Sequence, residues 1–279
     1  MTRLRNRLSF CLACALLLSC RHKAASRQKV SADEFGAAEW QELSCGKYYR
    51  SEKGKIHVIR IDLKNPGLRV VSYPSSEDAD AVTDAGFLGG LTLPQFVRKT
   101  GATVAVNTSP YWINTGSGAG DPKKFKILGI HSDGRMQFSK PLEKYPALVL
   151  YRTPEGFSAK IVENQTEASL QDADFAFGGY FQILRGGLKI DFSTEHFDAR
   201  TAVGLGESGD ELFLLACRKS PGLSFQECQE IFLSLGCVDA LEFDGGSSTS
   251  FFLDAPGASV KIRSFLRVNA SYMGFLFDD

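Results

Sequence analysis

The chain has 279 residues, which is enough for one large domain or two small ones with a substantial core. Hydrophobic residues make up 43% of the sequence and charged residues 23%, as in an ordinary globular protein. The formal net charge is zero, which excludes a general electrostatic attraction to nucleic acid or to anionic membranes, so we expect no nucleic-acid partner.

Residues 1–19 have the pattern of a bacterial secretion signal. Arginines stand at positions 3, 5 and 7, and the apolar segment from Phe10 to Leu18 that follows is too short to span a bilayer comfortably. The segment ends in Leu17-Leu18-Ser19-Cys20, which resembles a lipobox, where the cysteine is acylated and becomes the first residue of the mature protein. An ordinary signal peptide and an uncleaved anchor are the alternatives.

We therefore expect an exported lipoprotein of the cell envelope or periplasm, attached to a membrane through a lipid on Cys20. Residues 1–19 are the predicted signal peptide, residues 20–40 a polar tether, and residues 41–279 the folded domain. A diacylated cysteine would hold the protein at a membrane surface without spanning it.

Four cysteines remain in the mature domain, and export makes disulfides between them permissible. We expect Cys217 and Cys237 at opposite ends of neighbouring strands, with Cys228 in a helix between them. These positions favour mostly free, buried thiols. The mature chain has no metal-type spacing of Cys and His, so we expect neither a metal site nor a cofactor.

The first part of the mature chain is predicted to consist of strands and loops. Two strands lie between Lys47 and Tyr73, separated by a turn at Asn65-Pro66-Gly67, and residues 75–90 form a polar loop. Later, Asp133-Gly134 marks a hairpin turn.

A short helix and a strand are predicted before Asn107. Thr92 and Gln95 form a T-x-x-Q capping box at the start of the helix, and Gly101 suits its C-terminal end. The apolar strand 102–106 then places Asn107 at its end.

A second, similar unit precedes an Asp-Gly-Gly loop. The strand Leu212–Cys217 is followed by a capping box at Ser224 and Glu227, a helix to about Leu235, and a strand that ends at Asp244. The segment is long enough for a right-handed parallel crossover. The predicted fold class is therefore α+β, with mixed β-sheets, a few short helices and one strand–helix–strand unit before the D-G-G-S-S loop.

The loop Asp244-Gly245-Gly246-Ser247-Ser248-Thr249 has the composition of a binding site. Adjacent glycines let another group approach the backbone, and the hydroxyls stand beside N–H groups. This combination suits a polyhydroxylated or phosphorylated ligand, while the alternative is a tight turn with a solvated aspartate. Because Asn107 and Asp244 both end strands, we expect them to face one cleft.

Four motifs in this order resemble the phosphodiester glycosidase family, whose animal member removes N-acetylglucosamine from a phosphodiester on lysosomal glycoproteins. The likeness covers roughly residues 91–277. The motifs are Asn107-Thr108-Ser109-Pro110-Tyr111, Gly178-Gly179 before an apolar hairpin at 184–187, Arg200-Thr201-Ala202-Val203-Gly204, and Asp244-Gly245-Gly246-Ser247-Ser248.

The sequence departs from the family pattern near three of the four motifs. Thr108 and Ser109 stand where the family has two glycines, which affects close approach to the backbone there. Ser247 replaces a third glycine, and Ala199 replaces a proline before the arginine. Glu242 occupies a position that is often Asn and adds a negative charge beside Asp244.

The resemblance implies a hydrolase that releases sugar from a sugar-1-phosphodiester, and four residues are its candidate catalytic groups. Arg200 would bind the phosphate, because a guanidinium matches two phosphate oxygens; its alternative is a structural ion pair. Asp244 would act as base or stabilise an oxocarbenium-like centre; its alternative is a loop-capping role.

The other two candidates are Glu242 and His196. Glu242 lies two residues before Asp244, hence on the same strand face, and two close carboxylates can divide acid and base roles. Pairing of Glu242 with a buried Arg or Lys is equally open. His196 is a candidate general acid or a surface histidine.

Nine residues form the predicted substrate-binding set, in which the glycines supply backbone N–H donors and the others contact hydroxyl or phosphate groups. We expect Asn107 and the Gly178-Gly179 pair to line one concave site together with Arg200 and Asp244. The set is Asn107, Gly178, Gly179, Thr201, Gly245, Gly246, Ser247, Ser248 and Thr249.

The sequence therefore predicts a glycan or sugar-phosphate substrate and a role in envelope or exopolysaccharide glycan metabolism. A non-catalytic lipoprotein that binds glycans or sugar phosphates is the main alternative, and a structural envelope protein is another. The sequence contains neither a G-x-S-x-G nor an H-E-x-x-H motif, so esterase and zinc-protease activities have little support.

Overall fold

The computed structural model describes residue 35 and the ranges 39–51, 55–114, 124–134, 136–220, 222–264 and 268–278. The predicted signal peptide 1–19, Cys20 and most of the predicted tether lie outside these residues. At the end of that tether, Phe35 and Trp40 pack on the ring of Tyr49, with centroids 5.1 and 5.9 Å away. Within the described ranges, no helix is both long and apolar enough to cross a membrane.

The described residues form mostly strands, with a few short helices. The helices are α1 (Leu93–Thr100), α2 (Glu167–Leu170) and α3 (Phe225–Ser234), and 3-10 turns lie at Ser76–Ala81 and Gly246–Ser248. The strands are β1 (Gln41–Leu43), β2 (Gly46–Arg50), β3 (Ile56–Asp62), β4 (Leu68–Tyr73), β5 (Val104–Asn107), β6 (Tyr111–Ile113), β7 (Phe125–Ile127), β8 (His131–Ser132), β9 (Gln137–Ser139), β10 (Ala147–Thr153), β11 (Gly156–Val162), β12 (Phe175–Gly178), β13 (Phe181–Arg185), β14 (Leu188–Lys189), β15 (Arg200–Leu205), β16 (Glu211–Cys217), β17 (Asp239–Glu242), β18 (Phe251–Ala255), β19 (Ala258–Ile262) and β20 (Tyr272–Phe277).

The strands form three larger sheets and one small one. The eight-stranded sheet has the order β1-β2-β3-β16-β15-β17-β13-β14. Two five-stranded sheets have the orders β11-β10-β12-β8-β9 and β19-β18-β5-β20-β4, and β6 pairs with β7. The candidate site residues at 107, 200 and 242 therefore lie on β5, β15 and β17.

The sheets are antiparallel at every strand pairing between described residues, so the prediction of mixed sheets was wrong. Strands β16 and β17, which flank helix α3 in the chain, do run in the same direction. They are not neighbours, because β15 lies between them and pairs antiparallel with both.

The main hydrophobic core lies between the three larger sheets. Strand β15 contributes Val203 and Leu205, β5 contributes Val104 and Val106, and β12 contributes Phe177. Successive side chains of a strand point to opposite faces. Thr201, which precedes Val203 by two positions, therefore faces this core, whereas Arg200 and Ala202 face the other side of the sheet.

Helix α3 covers the other side of the eight-stranded sheet. Its Cys228, Ile231 and Phe232 pack with Ala202 of β15 and Ala240 of β17 in a second core cluster. Glu242 follows Ala240 by two positions and lies on this face as well. The fold thus places Arg200 and Glu242 beneath the helix, with Thr201 on the opposite face.

Both predicted capping boxes are confirmed. Gln95 accepts a hydrogen bond from the Thr92 N–H at 2.8 Å. The Ser224 hydroxyl accepts one from the Glu227 N–H at 3.1 Å, and Glu227 accepts one from the Ser224 N–H at 3.2 Å. Gly101 ends α1 in the left-handed conformation, at φ +73°, which glycine adopts without steric cost.

The four cysteines of the domain are free and buried, as predicted: Cys45, Cys217, Cys228 and Cys237. Burial raises the pKa of each thiol above its ordinary value, because the thiolate would lose its hydration. These groups therefore behave as small apolar side chains of the core.

Candidate active site

Asp244 lies just after β17, and its main chain is anchored on both sides. Its N–H donates to the Thr108 carbonyl at 2.9 Å, and its carbonyl accepts from Nδ2 of Asn107 at 2.6 Å. Asp244 is half-buried. The end of β5 therefore anchors the Asp244 main chain. That Asn107 and Asp244 face one cleft stays a prediction.

Asn107 acts as a buried support beneath the loop. Its Oδ1 accepts from the Thr201 hydroxyl at 2.9 Å and from the Ser250 N–H at 2.8 Å. Asn107 and Thr201 are 1% and 0% exposed. The prediction that these two side chains contact substrate is not supported by this geometry, because their polar groups are used within the protein.

Arg200 is fixed by three hydrogen bonds. Its Nε donates to the Leu223 carbonyl at 2.9 Å, its Nη2 to the His196 carbonyl at 2.6 Å, and its Nη1 to the Glu242 carboxylate at 2.8 Å. The guanidinium also lies 4.2 Å from the ring centroid of Phe225 in α3. Arg200 therefore forms the structural ion pair that was the alternative to a phosphate site.

Glu242 has a buried carboxyl group whose pKa is raised. Burial raises its pKa from 4.5 to about 7, partly offset by Arg200, while the charges of Asp244 and Asp198 raise it further. The side chain is 4% exposed. Both open interpretations of Glu242 thus hold in part: it pairs with a buried arginine, and it interacts electrostatically with Asp244.

Gly245 and Gly179 allow close packing around Glu242. A Cβ on Gly245 would lie 2.8 Å from Oε1 of Glu242 and 2.9 Å from the Ala199 carbonyl. A Cβ on Gly179 would lie 2.3 Å from Leu241 and 2.7 Å from the Glu242 carbonyl. Real Cβ atoms do not approach other atoms this closely, so both positions require glycine.

Three of the four glycines predicted as N–H donors to a ligand donate to main-chain carbonyls of the protein instead. The Gly178 N–H donates to the Ile130 carbonyl at 2.8 Å and the Gly179 N–H to the Pro146 carbonyl at 2.9 Å. The Gly246 N–H donates to the Ala199 carbonyl at 2.8 Å. The prediction that these groups donate to a ligand was therefore wrong for Gly178, Gly179 and Gly246, whose N–H groups hold the loops together.

The hydroxyl residues of the loop differ in exposure. Ser247 is exposed, whereas Ser248 and Thr249 are buried. The Ser248 hydroxyl lies 3.4 Å from the Tyr111 hydroxyl. Among the described residues, the buried Thr249 hydroxyl has no hydrogen-bond partner. Ser247 is thus the loop hydroxyl best placed for an external ligand.

His196 contacts the site through its main chain. Its carbonyl accepts the hydrogen bond from Nη2 of Arg200, and its side chain is exposed. This placement favours the interpretation of a surface histidine over that of a general acid.

Tyr180 belongs to the site and was missed by the sequence analysis. Its N–H donates to the Glu242 carbonyl at 2.8 Å. Burial raises the pKa of its hydroxyl, and the nearby charge of Asp244 adds to the shift, with smaller contributions from Tyr145, Glu242 and Tyr111. One feature of the sequence could have indicated Tyr180 as a site residue: it directly follows Gly178-Gly179, the second of the four motifs that resemble the family.

The arrangement combines a half-buried carboxylate, a buried carboxyl with a pKa near neutrality, a fixed guanidinium and a phenol. Groups of this kind can position a water molecule, stabilise positive charge at a sugar carbon and accept or give a proton. Within the described residues, no group of three or more His, Cys, Asp or Glu side chains could hold a metal ion.

The profile of the phosphodiester glycosidase family matches residues 100–270, more than half of the chain. No curated protein matches the sequence.

Two of the similar solved structures illustrate the likeness of fold. A hypothetical protein from Synechocystis has 14% identity and a TM-score of 0.57, over 86% of this chain and 61% of that protein, so this chain spans less than two thirds of its length. The catalytic domain of zebrafish N-acetylglucosamine-1-phosphodiester alpha-N-acetylglucosaminidase, auto-inhibited by its pro-peptide, has 15% identity and a TM-score of 0.56, over 88% and 86% of the two chains. These structures establish the shared fold.

Proposed function

The chain belongs to the phosphodiester glycosidase family, and from that premise we propose that it hydrolyses a sugar-1-phosphodiester. In this reaction water forms a bond to the anomeric carbon while the bond from that carbon to the phosphodiester oxygen breaks. The products are the free sugar and a phosphate monoester. A phosphate is a good leaving group, so the reaction needs charge stabilisation more than strong acid catalysis.

The observation that carries the proposal is the anchoring of Asp244 beside the Arg200–Glu242 pair. Asn107 and Thr108 hold the Asp244 main chain two residues beyond Glu242. The charge of the half-buried Asp244 acts on the buried Glu242 carboxyl, which pairs with Arg200. We assign Asp244 to the oxocarbenium-like centre or its attacking water.

Arg200 and Glu242 act together in this proposal. Three of the guanidinium's five N–H groups donate within the protein, so Arg200 positions the Glu242 carboxylate and compensates its charge. Burial raises the pKa of Glu242 toward neutrality, which suits a group that transfers a proton to or from the reacting groups.

The proposed location rests on the sequence of the N-terminus. The basic residues, the short apolar segment and the lipobox-like Leu17-Leu18-Ser19-Cys20 support an exported, membrane-anchored lipoprotein that acts on envelope or exopolysaccharide glycans. Metabolic labelling with a fatty acid tests this directly: the wild-type chain should carry the label and a Cys20→Ser variant should not. Equal labelling, or none in the wild type, would contradict it.

A non-catalytic glycan-binding lipoprotein is the second candidate. The observation in its favour is that Arg200 and Glu242 neutralise each other and are nearly buried. Incubation with a panel of sugar-1-phosphodiesters, with free sugar and phosphate monoester measured together, separates the two. The enzyme should release both products in equal amounts from at least one compound. Binding of a compound that raises the unfolding temperature, without any product from the panel, would favour the second candidate.

A further inference from the structure

Five aromatic rings form a continuous strip that leads away from the Arg200–Glu242 pair. We define the aromatic strip as Tyr145, Tyr180, Phe181, Phe192 and Phe225. Tyr180 contacts Tyr145 edge-on at 6.2 Å and Phe181 by stacking at 5.8 Å between centroids. Phe181 contacts Phe192 at 6.0 Å and Phe225 at 5.5 Å, and the last two rings are 4.5 Å apart.

The strip joins the candidate active site at two points. Phe181 is the direct partner of Glu242 in the pairing of β13 with β17, so the two side chains lie on the same face of the sheet. Phe225 lies against the Arg200 guanidinium at 4.2 Å. A ligand lying on the strip would therefore cover rings that adjoin the Arg200–Glu242 pair.

Phe181 is the most informative member, because 46% of its surface is exposed. A single exposed apolar residue is ordinary on a protein surface. Phe181 differs because it belongs to a connected set of rings beside the site, and the other four rings are half-buried around it. The edge-on contacts hold the rings in place, so little side-chain freedom would be lost when a ligand covers them.

We propose that the aromatic strip is a subsite for further sugar units, so that the substrate is a glycan chain and not an isolated sugar-1-phosphodiester. The inference rests on the proposed function for the identity of the bond that is cleaved. The C–H groups on one face of a sugar ring carry slight positive charge and stack on the negative face of an aromatic ring, while the hydroxyls stay in water. A protruding ring such as Phe181 suits this contact.

The polar groups at one end of the strip favour a glycan over an alkyl chain. The rings of Tyr145 and Tyr180 bring two hydroxyls, and the Lys144 ammonium lies 4.9 Å from the Tyr145 centroid. Sugar hydroxyls can exchange hydrogen bonds with such groups, whereas an alkyl chain would only desolvate them. A glycan therefore matches both the apolar rings and their polar neighbours.

Affinity measurements on the full chain in lipid nanodiscs test the proposal. The probes are N-acetylglucosamine and glucose oligomers of one to six units, titrated by calorimetry. Wild-type protein should bind longer oligomers of at least one series more tightly, by roughly ten-fold or more over the single sugar. Phe181→Leu should lose this gain, because it keeps apolar volume but has no ring face, whereas Phe181→Tyr should retain it.

Leu188→Ala is the matched control, because Leu188 is exposed on β14 outside the strip. It should keep the length-dependent gain. Affinity that does not change with oligomer length in either series overturns the proposal, as does an unchanged gain in Phe181→Leu. Methyl, butyl and octyl glucosides test the alkyl alternative: a gain with alkyl length that survives Phe181→Leu also overturns it. Because binding needs no turnover, failure of the proposed hydrolysis would appear separately, as absence of product.

Discussion

Nη1 of Arg200 donates to Oε1 of Glu242 at 2.8 Å, and the two side chains are 7% and 4% exposed. This buried pair connects β15 to β17 two residues before Asp244. Removing one partner of a buried ion pair leaves an uncompensated charge in a medium that solvates it poorly. The stability of the site therefore depends on both residues being present.

Breaking the pair should destabilise the fold strongly. We expect Arg200→Met to lower the free energy of unfolding by about 3–5 kcal/mol, because Glu242 loses its ion-pair partner and the Leu223 and His196 carbonyls lose their donor. Chemical denaturation at pH 7 measures this value. The double variant Arg200→Met/Glu242→Gln should be less destabilised than the sum of the single variants. Simple additivity would show that the two groups are not coupled.

The raised pKa of Glu242 predicts a specific dependence of stability on pH. The unfolded chain releases this proton near pH 4.5 and the folded protein only near pH 7, so the folded state binds more protons between these values. Stability from this group is therefore lost as the pH rises from 4.5 to 7. Glu242→Gln should lack this loss, so its stability relative to wild type should improve across the window.

Two buried histidines have the opposite effect on how stability changes with pH, over a pH range that overlaps that of Glu242. Burial lowers the pKa of His57 and His131 from 6.5 to about 4, so acid favours the unfolded chain, which binds the extra protons. The comparison of wild type with Glu242→Gln removes their contribution, because both proteins contain them. Parallel stability curves for the two proteins would contradict a raised Glu242 pKa.

Asn107 should matter for activity through the position of Asp244. Asn107→Ala removes the bond to the Asp244 carbonyl and leaves the Thr201 hydroxyl and Ser250 N–H unpaired. We expect a loss of at least about 1–3 kcal/mol in the free energy of unfolding. The turnover number should fall by roughly a hundred-fold, because the carboxylate is no longer held in position.

Thr201→Val is the control for Asn107→Ala, since it removes only the hydroxyl that donates to Oδ1 and leaves the Asp244 anchor in place. It should cost less stability and far less turnover. If both variants lose turnover equally, the anchor to Asp244 is not what Asn107 contributes.

Gly245 should not tolerate a methyl group. In Gly245→Ala the new Cβ would press on the Glu242 carboxylate and the Ala199 carbonyl, so we expect a clear loss of both turnover and stability. Gly206→Ala is a matched control, because its Cβ would lie at an ordinary 3.5 Å from Glu211. Wild-type melting and turnover in Gly245→Ala would show that the site relaxes around the added group.

The local features of the fold could be predicted because they depend on nearby residues. The capping boxes at Thr92 and Ser224 satisfy main-chain donors within the same helical turn. The short strand just before Asp244 and the buried cysteines likewise follow from local composition. The mixed sheet was predicted incorrectly, since the sequence does not show that β15 lies between β16 and β17.

The chemistry of the site depends on contacts between distant segments. The alternatives for Arg200 and Glu242 could be weighed only once the register of β15 against β17 was known. The carbonyls that accept from Gly178 and Gly179 belong to other loops, so the use of those N–H groups is invisible in the motif. Tyr180 becomes a site residue through its main-chain bond to Glu242, which no side-chain pattern indicates.

The most direct test of the central claim compares Asp244→Asn with Asp254→Asn on a panel of sugar-1-phosphodiesters. Asp254 is exposed on β18, so its substitution removes the same charge away from the site. We predict that Asp244→Asn releases free sugar at least about a hundred-fold more slowly than wild type, while Asp254→Asn keeps the wild-type rate. Wild-type turnover by a correctly folded Asp244→Asn protein would contradict the assignment of Asp244 as the central carboxylate.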